Sequence, residues 1–301
     1  MNVVPVGMSH SLHANLAGLR TLRWLTTMRM LSICMTPGVS GTLEGDGFSP
    51  AKDGDWRHNQ WHDILENVMG VTEEGDIDSA VTGFDAYSES HGLGMHLGAE
   101  KGDVIEATVQ DAFARHGNGS SPFAVLEVGA HFGDGTLRII RALQGHAVSA
   151  SFQGEQSRTV VSFEGDKAWA SGCRALVRHA RGGRRGASGL RHEALVVRPG
   201  AVVKAAKAVL DHFQLKHFNV VLLDHDHKHY LKDLRGLVSI GAIAPNGIVH
   251  ADNAGRDARI LAKYLSYVQG EGPFETRFEQ IQAPYPDRVA ISQYKPSERE
   301  L

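Results

Sequence analysis

From residue 124 onward, short, mostly apolar runs alternate with stretches whose apolar positions recur every three or four residues. The runs are 124–129 (AVLEVG), 159–164 (TVVSFE), 194–197, 220–224 (VVLLD) and 247–252 (GIVHAD). A short apolar run closed by polar residues predicts a strand covered on both faces of a parallel sheet. The intervening spacing predicts helices over 136–143, 167–180, 201–213, 231–240 and 256–268. The last two segments, 274–282 and 288–294, alternate apolar and polar residues around APYPD and predict an antiparallel hairpin. Repeated strand–helix units predict an α/β fold: a doubly wound, mostly parallel sheet with a C-terminal β-hairpin. Upstream, helical spacing over 56–69, 76–90 and 103–115 predicts extra N-terminal helices, with 91–102 a glycine-punctuated loop.

The first 55 residues follow a different pattern. Positions 1–43 lack Asp and Glu but carry Arg20, Arg23 and Arg29 among many Ser and Thr. Such an acid-free, arginine-bearing stretch has the character of an organelle-import signal, or of an extension outside the fold. Residues 36–55 are rich in Gly, Ser, Pro and Asp and predict a linker, leaving 56–301 as one domain. With two cysteines, Cys34 and Cys173, a disulfide framework is not expected and a reducing compartment such as the cytoplasm is the default. No apolar stretch is long enough for a membrane span. A net charge of −3 gives no reason to expect nucleic acid. The basic run 181–191 (RGGRRGASGLR) has no interleaved aromatics and is expected to be a solvated loop.

Candidate chemistry gathers at the carboxyl ends of the predicted strands, where open α/β sheets bind ligands. In VLEVGAHFGDG, Gly129, Gly133 and Gly135 allow a sharp turn and close backbone approach, with Glu127 inside the strand end. The acid-x-Gly-x-x-x-Gly form is that of a first S-adenosylmethionine (SAM) motif, not the dinucleotide G-x-G-x-x-G. Glu164 closes the next strand, where a carboxylate can accept both hydroxyls of a ribose. Asp224, Asp252 and Asn253 end two further strands. Two anionic oxygen ligands and one neutral one suit Mg²⁺, although strand-end Asp and Asn also cap helices. His225, His227 and His229 alternate behind Asp224, but Lys228 interrupts the set and zinc is not favoured.

These motifs, in order, resemble catechol O-methyltransferase: GMHLGAEKG (94–102), VLEVGAHFGDG (125–135), the Glu164 strand end, LDHDHKHYLKD (223–233) and ADN (251–253). The resemblance runs from about Trp61 to Tyr294. It implies the seven-stranded SAM-methyltransferase sheet with additional N-terminal helices. It implies Mg²⁺ at Asp224, Asp252 and Asn253, ribose at Glu164, and a SAM site lined by Leu97, Glu127, Gly129, Gly133, Gly135, Asp224 and His225. The implied reaction is Mg²⁺-dependent methyl transfer from SAM to one hydroxyl of a catechol-like or other vicinal-diol small molecule. A monomer is expected, with a hydroxylated, aromatic small molecule as partner.

The chain also departs from the family. The family's lysine base corresponds to His227, with Lys228 one residue late. Histidine, with an ordinary pKa of about 6.5, can serve as a base at neutral pH; Lys228 is the second candidate. Leu93 and Asp226 stand where the family has ring-stacking tryptophans. His131 and Gly135 replace a tyrosine and a serine, and Val202 and Val203 a polar pair near the adenine. A methyltransferase-fold binding protein without turnover is the alternative these departures leave open.

Overall fold

The computed structural model describes residues 56–92, 96–116, 122–144, 158–183, 189–283 and 285–297, with side chains from residue 62 onward. The N-terminal 55 residues, Leu93 and the centre of the basic run (184–188) lie outside the described residues.

Among the described residues, three helices come first: α1 (Trp56–Val71), α2 (Ile77–His91) and α3 (Gly98–His116). There follow β1 (Phe123–Val128), α4 (Asp134–Gln144), β2 (Arg158–Glu164), α5 (Lys167–Ala180), β3 (Leu190–Val196), α6 (Val202–Phe213) and β4 (Phe218–Leu223). A single 3-10 turn (His227–His229) leads into α7 (Tyr230–Ser239), β5 (Ile243–Ala251), the short α8 (Ala262–Ser266), β6 (Phe274–Ile281) and β7 (Asp287–Tyr294). The strands form one seven-stranded sheet in the order β3-β2-β1-β4-β5-β7-β6. Its first five strands are parallel; β7 pairs antiparallel with both β5 and β6. The predicted doubly wound α/β sheet with its C-terminal hairpin is the fold observed.

The apolar runs explain the layering. Every residue of β1, β2 and β4 is buried. Successive side chains of a strand point to opposite faces. Val125, Val160 and Val220 therefore pack with α1 to α5, and Leu126, Val161 and Val221 with α6 to α8. Order reverses between β1 and β4, which leave in opposite directions across the sheet, so a crevice opens at their carboxyl ends.

Several boundaries differ from those the sequence predicts. Helix α3 begins at Gly98, five residues before the predicted 103, within the stretch expected to be a loop. Gly102 is the reason: its bare Cα lies against the Arg138 guanidinium, and a Cβ there would come within 2.1 Å of Arg138 Cζ. A residue that weakens the helical pattern in sequence is required by packing. Strand β3 begins at Leu190 instead of 194, because Arg191, His192 and Glu193 pair along β2 as a half-buried edge. The predicted helix 256–268 is broken. Residues 252–260 run in turns, α8 covers only Ala262–Ser266, and a π turn (Tyr267–Glu271) follows. Asp287 at the start of β7 holds this segment, its Oδ1 accepting the N–H groups of Gly255 (3.0 Å) and Arg256 (2.8 Å).

Candidate functional site

The crevice is a cavity of about 530 Å³. It is lined from the ends of β1, β2, β4 and β5, from the segment before α3, and from Tyr285 in the hairpin loop.

Close approach of two strand ends builds its floor. Gly129 takes φ +99°, and a Cβ there would lie 2.2 Å from the Asp224 carbonyl oxygen. Only glycine lets β1 and β4 meet this closely, and the Asp224 N–H donates to the Val128 carbonyl (2.9 Å). Gly133 and Gly135 serve the same turn from below, and neither lines the cavity. Gly133 packs on Cys173, whereas Gly135 leaves room for the Glu127 carboxylate. Glu127 is 3% exposed, accepts the Thr136 hydroxyl and stays beneath the turn, also outside the lining. Burial pushes its pKa up to about 7.

At one side, Glu164 accepts the backbone N–H groups of His131 (2.7 Å) and Asp166 (2.9 Å). Burial raises its pKa although these bonds oppose the shift. The His131 ring packs edge-on against Trp169, centroids 4.3 Å apart. Burial pushes the His131 pKa down to about 3. His131 Nε2, Trp169 Nε1 and His225 Nδ1 are buried and make no hydrogen bond among the described residues. All three residues line the cavity. His225 stacks on Tyr230 (5.0 Å) and its Nε2 pairs with Asp233 (3.0 Å). Leu97 also lines the cavity, its N–H donating to Asp134 Oδ2 (3.1 Å).

At the other side, Asp224, Asp252 and Asn253 line the same cavity, as their strand-end positions predict. Burial, and then the neighbouring Asp252, hold the Asp224 carboxyl well above the usual carboxylate range. Lys101 of α3 reaches into this group. Its Nζ lies 2.9 Å from Asp252 Oδ1, 3.1 Å from Asn253 Oδ1 and 2.8 Å from Asp287 Oδ2. Burial disfavours its charge, but Asp252 and Asp287 outweigh that and raise its pKa. Among the described residues no three His, Cys, Asp or Glu side chains converge as a metal site; the oxygen set here is two carboxylates and an amide. Hard oxygen donors fit Mg²⁺. Lys101 already pairs with Asp252 and Asp287 in this group.

His227 sits beside this group. Its Nε2 is 3.3 Å from the Asn253 amide nitrogen, and its Nδ1 is 3.3 Å from Asp257 Oδ2. The amide nitrogen can only donate. Nε2 is therefore the acceptor, and Nδ1 carries the proton toward Asp257. Lys228 is exposed and does not line the cavity. Asp226 is exposed and accepts the Lys228 N–H (3.2 Å), while Tyr285 supplies an aromatic face stacked on Arg256 (4.5 Å). Sequence reasoning missed Lys101, Trp169, Asp257, Tyr285 and Asp287. Lys101 lay inside a recognised motif, but no spacing rule linked any of the five to the strand ends.

A seven-stranded 3-2-1-4-5-7-6 sheet with its cavity across the β1 and β4 ends defines a methyltransferase-type α/β protein. Two solved structures share the fold. One, a Klebsiella pneumoniae protein described as an O-methyltransferase, has TM-score 0.53 and 14% identity, covering 79% of this chain and 99% of that one. The other, the SAH-bound Podospora anserina methyltransferase PaMTH1, has TM-score 0.51 and 12% identity, covering 84% and 100%. In sequence, the Mycobacterium tuberculosis "Probable O-methyltransferase" is 30% identical over 238 residues, 76% of this chain and 90% of that protein. The chain belongs to the O-methyltransferase family. Catechol O-methyltransferase of Bos taurus is 25% identical over 212 residues, 70% of this chain and 67% of its own length. No protein-family model matches the chain.

Proposed function

We propose that the protein transfers a methyl group from SAM to one hydroxyl of a catechol-like or other vicinal-diol small molecule, with Mg²⁺ in the site. One observation carries this reading. A half-buried histidine whose unprotonated Nε2 faces the Asn253 amide stands beside two carboxylates, in the cavity that also holds the Glu164 end. Asp224, Asp252 and Asn253 would hold the ion. Once bound, a divalent cation lowers the pKa of a chelated hydroxyl and orients it.

The chain's own residues supply the rest. Glu164 presents a carboxylate to ribose hydroxyls. His131, Trp169 and His225 offer unpaired ring nitrogens to the polar edge of an adenosyl group. That three buried polar atoms lack partners fits a site completed by a ligand, since such atoms are costly to leave unsatisfied. SAH, carried by PaMTH1, is what SAM becomes after giving up its methyl. His227 Nε2, the unprotonated ring nitrogen, gives up its 3.3 Å contact with the Asn253 amide and takes the hydroxyl proton, while Asp257 holds the ring in that tautomer. Tyr285 offers the face on which an aromatic ring can stack.

The test is a radiolabelled-SAM assay over aromatic diols with Mg²⁺. His227→Ala should lower turnover about 100-fold or more, the usual range for losing a general base. Asp257→Asn should lower it less, and Lys228→Ala should leave it nearly unchanged. Turnover lost in Lys228→Ala but kept in His227→Ala overturns the base assignment, and turnover that survives EDTA overturns the metal half.

A further inference from the structure

We propose that Lys101 is the resident counter-cation of the oxygen cluster and a competitor of the divalent ion that the cluster would take. The inference rests on the metal-dependent reading above.

The Lys101 side chain is 3% exposed. Both oxygens of Asp252 lie within reach, at 2.9 and 3.0 Å, with Asn253 Oδ1 at 3.1 Å and Asp287 Oδ2 at 2.8 Å. Nζ donates hydrogen bonds to Asp252 Oδ2 and Asn253 Oδ1, and Asp252 Oδ1 and Asp287 Oδ2 stand at ion-pair distance, so four oxygens crowd one ammonium group. Two of the three residues assigned to the ion thus already hold a cation. An incoming divalent ion meets like charge at contact distance and oxygens that are already engaged.

Asp287 is what makes displacement feasible. It lies outside the assigned ion ligands and is fixed independently, its Oδ1 receiving the N–H groups of Gly255, Arg256 and Arg288 (3.0, 2.8 and 2.8 Å). A lysine is a compact charge on a flexible four-carbon stem. Its ammonium can stay on Asp287 while releasing Asp252 and Asn253. The same lysine therefore holds the three residues together without a metal and weakens the metal's grip when one arrives. The consequence is a loosely held, readily exchanged ion.

Mn²⁺ binding followed by electron paramagnetic resonance on the full chain tests this, alongside thermal unfolding without metal. Lys101→Met should bind Mn²⁺ about tenfold more tightly than wild type. Its metal-free Tm should be lower and should recover when Mn²⁺ is added. Lys101→Arg, which keeps the charge, should bind no more tightly than wild type. Lys101→Gln should show the same tightening as Lys101→Met and carries the test if the methionine variant does not fold. Wild-type binding with no tightening in the neutral variants overturns this inference alone. An absence of Mn²⁺ binding in wild type and variants overturns the metal reading, and this inference with it.

Discussion

Replacing Gly129 with alanine tests the floor of the site. The perturbation acts twice. Gly129 has φ +99°, a region that L-residues enter at a cost of about 1–2 kcal/mol. The added Cβ would also lie 2.2 Å from the Asp224 carbonyl oxygen and 2.5 Å from its carbon. Both are backbone atoms, so no side chain can swing aside. Ordinary contact begins at 3.4 Å, so the β1 and β4 ends must part by more than 1 Å. The Asp224 N–H bond to Val128 (2.9 Å) would stretch or break, at about 1 kcal/mol. Together these give about 2–3 kcal/mol, read as a shift of the urea midpoint. Because Asp224 is displaced, Mn²⁺ and SAH affinities should also fall, each measured by calorimetry. Gly92→Ala is the control: it shares a positive φ (+61°) but meets nothing within 4 Å, so it should cost about 1 kcal/mol and leave binding intact. If Gly129→Ala is as stable as wild type and binds both ligands normally, the close approach of the two strands does not matter and the reasoning fails.

Two further predictions concern buried titrating groups. Burial raises the Glu127 pKa to about 7 in the folded state, so folding takes up a proton and stability falls as pH rises from about 4.5 to 7. Glu127→Gln keeps an acceptor for Thr136 and should gain about 1–3 kcal/mol over wild type at pH 8 and little at pH 4.5; a pH-independent difference in urea unfolding would refute this. His250, 2% exposed, has the opposite sign: burial, then Lys101 and Arg277, push its pKa down to about 3. Its contribution is fully present above about pH 6.5 and is lost as pH falls toward 3. His250→Gln should therefore narrow its stability gap to wild type by about 2–3 kcal/mol between pH 7 and pH 4, measured by denaturant unfolding; a gap of constant size would count against it.

What the sequence made legible follows from what each element is asked to do. The strands β1, β2 and β4 are buried on both faces, so their sequences are mostly apolar, and the polar residues within them, such as Glu127, Ser162 and Asn219, are buried as well. Where they end, the first polar residue must reach the crevice, and so Glu164, Asp224 and Asp252 could be placed from the sequence. The segment after Asn253 was misread as a helix because Leu261, Tyr264, Leu265 and Val268 keep helical spacing and are all buried. Only 262–266 form an α-helix; residues 252–260 run in turns because Asp287, more than thirty positions away, holds the Gly255 and Arg256 backbone. Lys101 and Asp257 escaped for the same reason. Each acquires its role from a partner across the fold, and nothing local in the sequence distinguishes it from a surface charge.

The choice between His227 and Lys228 shows the same limit at the scale of one residue. Read as a strand continuation, positions 225, 227 and 229 share a face, and 226 and 228 share the other. The chain instead turns at once into a 3-10 segment, with the Asp226 side chain capping the Lys228 N–H. In that geometry successive side chains leave about 120° apart. His227 lines the cavity while its neighbour Lys228 points to solvent. A lysine one position late is therefore not a near miss that a small adjustment could correct. Bringing Lys228 to the place of His227 would require unwinding the turn and losing the Asp226 cap, while the histidine already has a carboxylate on Nδ1 and the Asn253 amide on Nε2. His227 lines the cavity with its Nδ1 held by Asp257, and this aspartate, four residues after Asn253, is a contact that the motif alone could not supply.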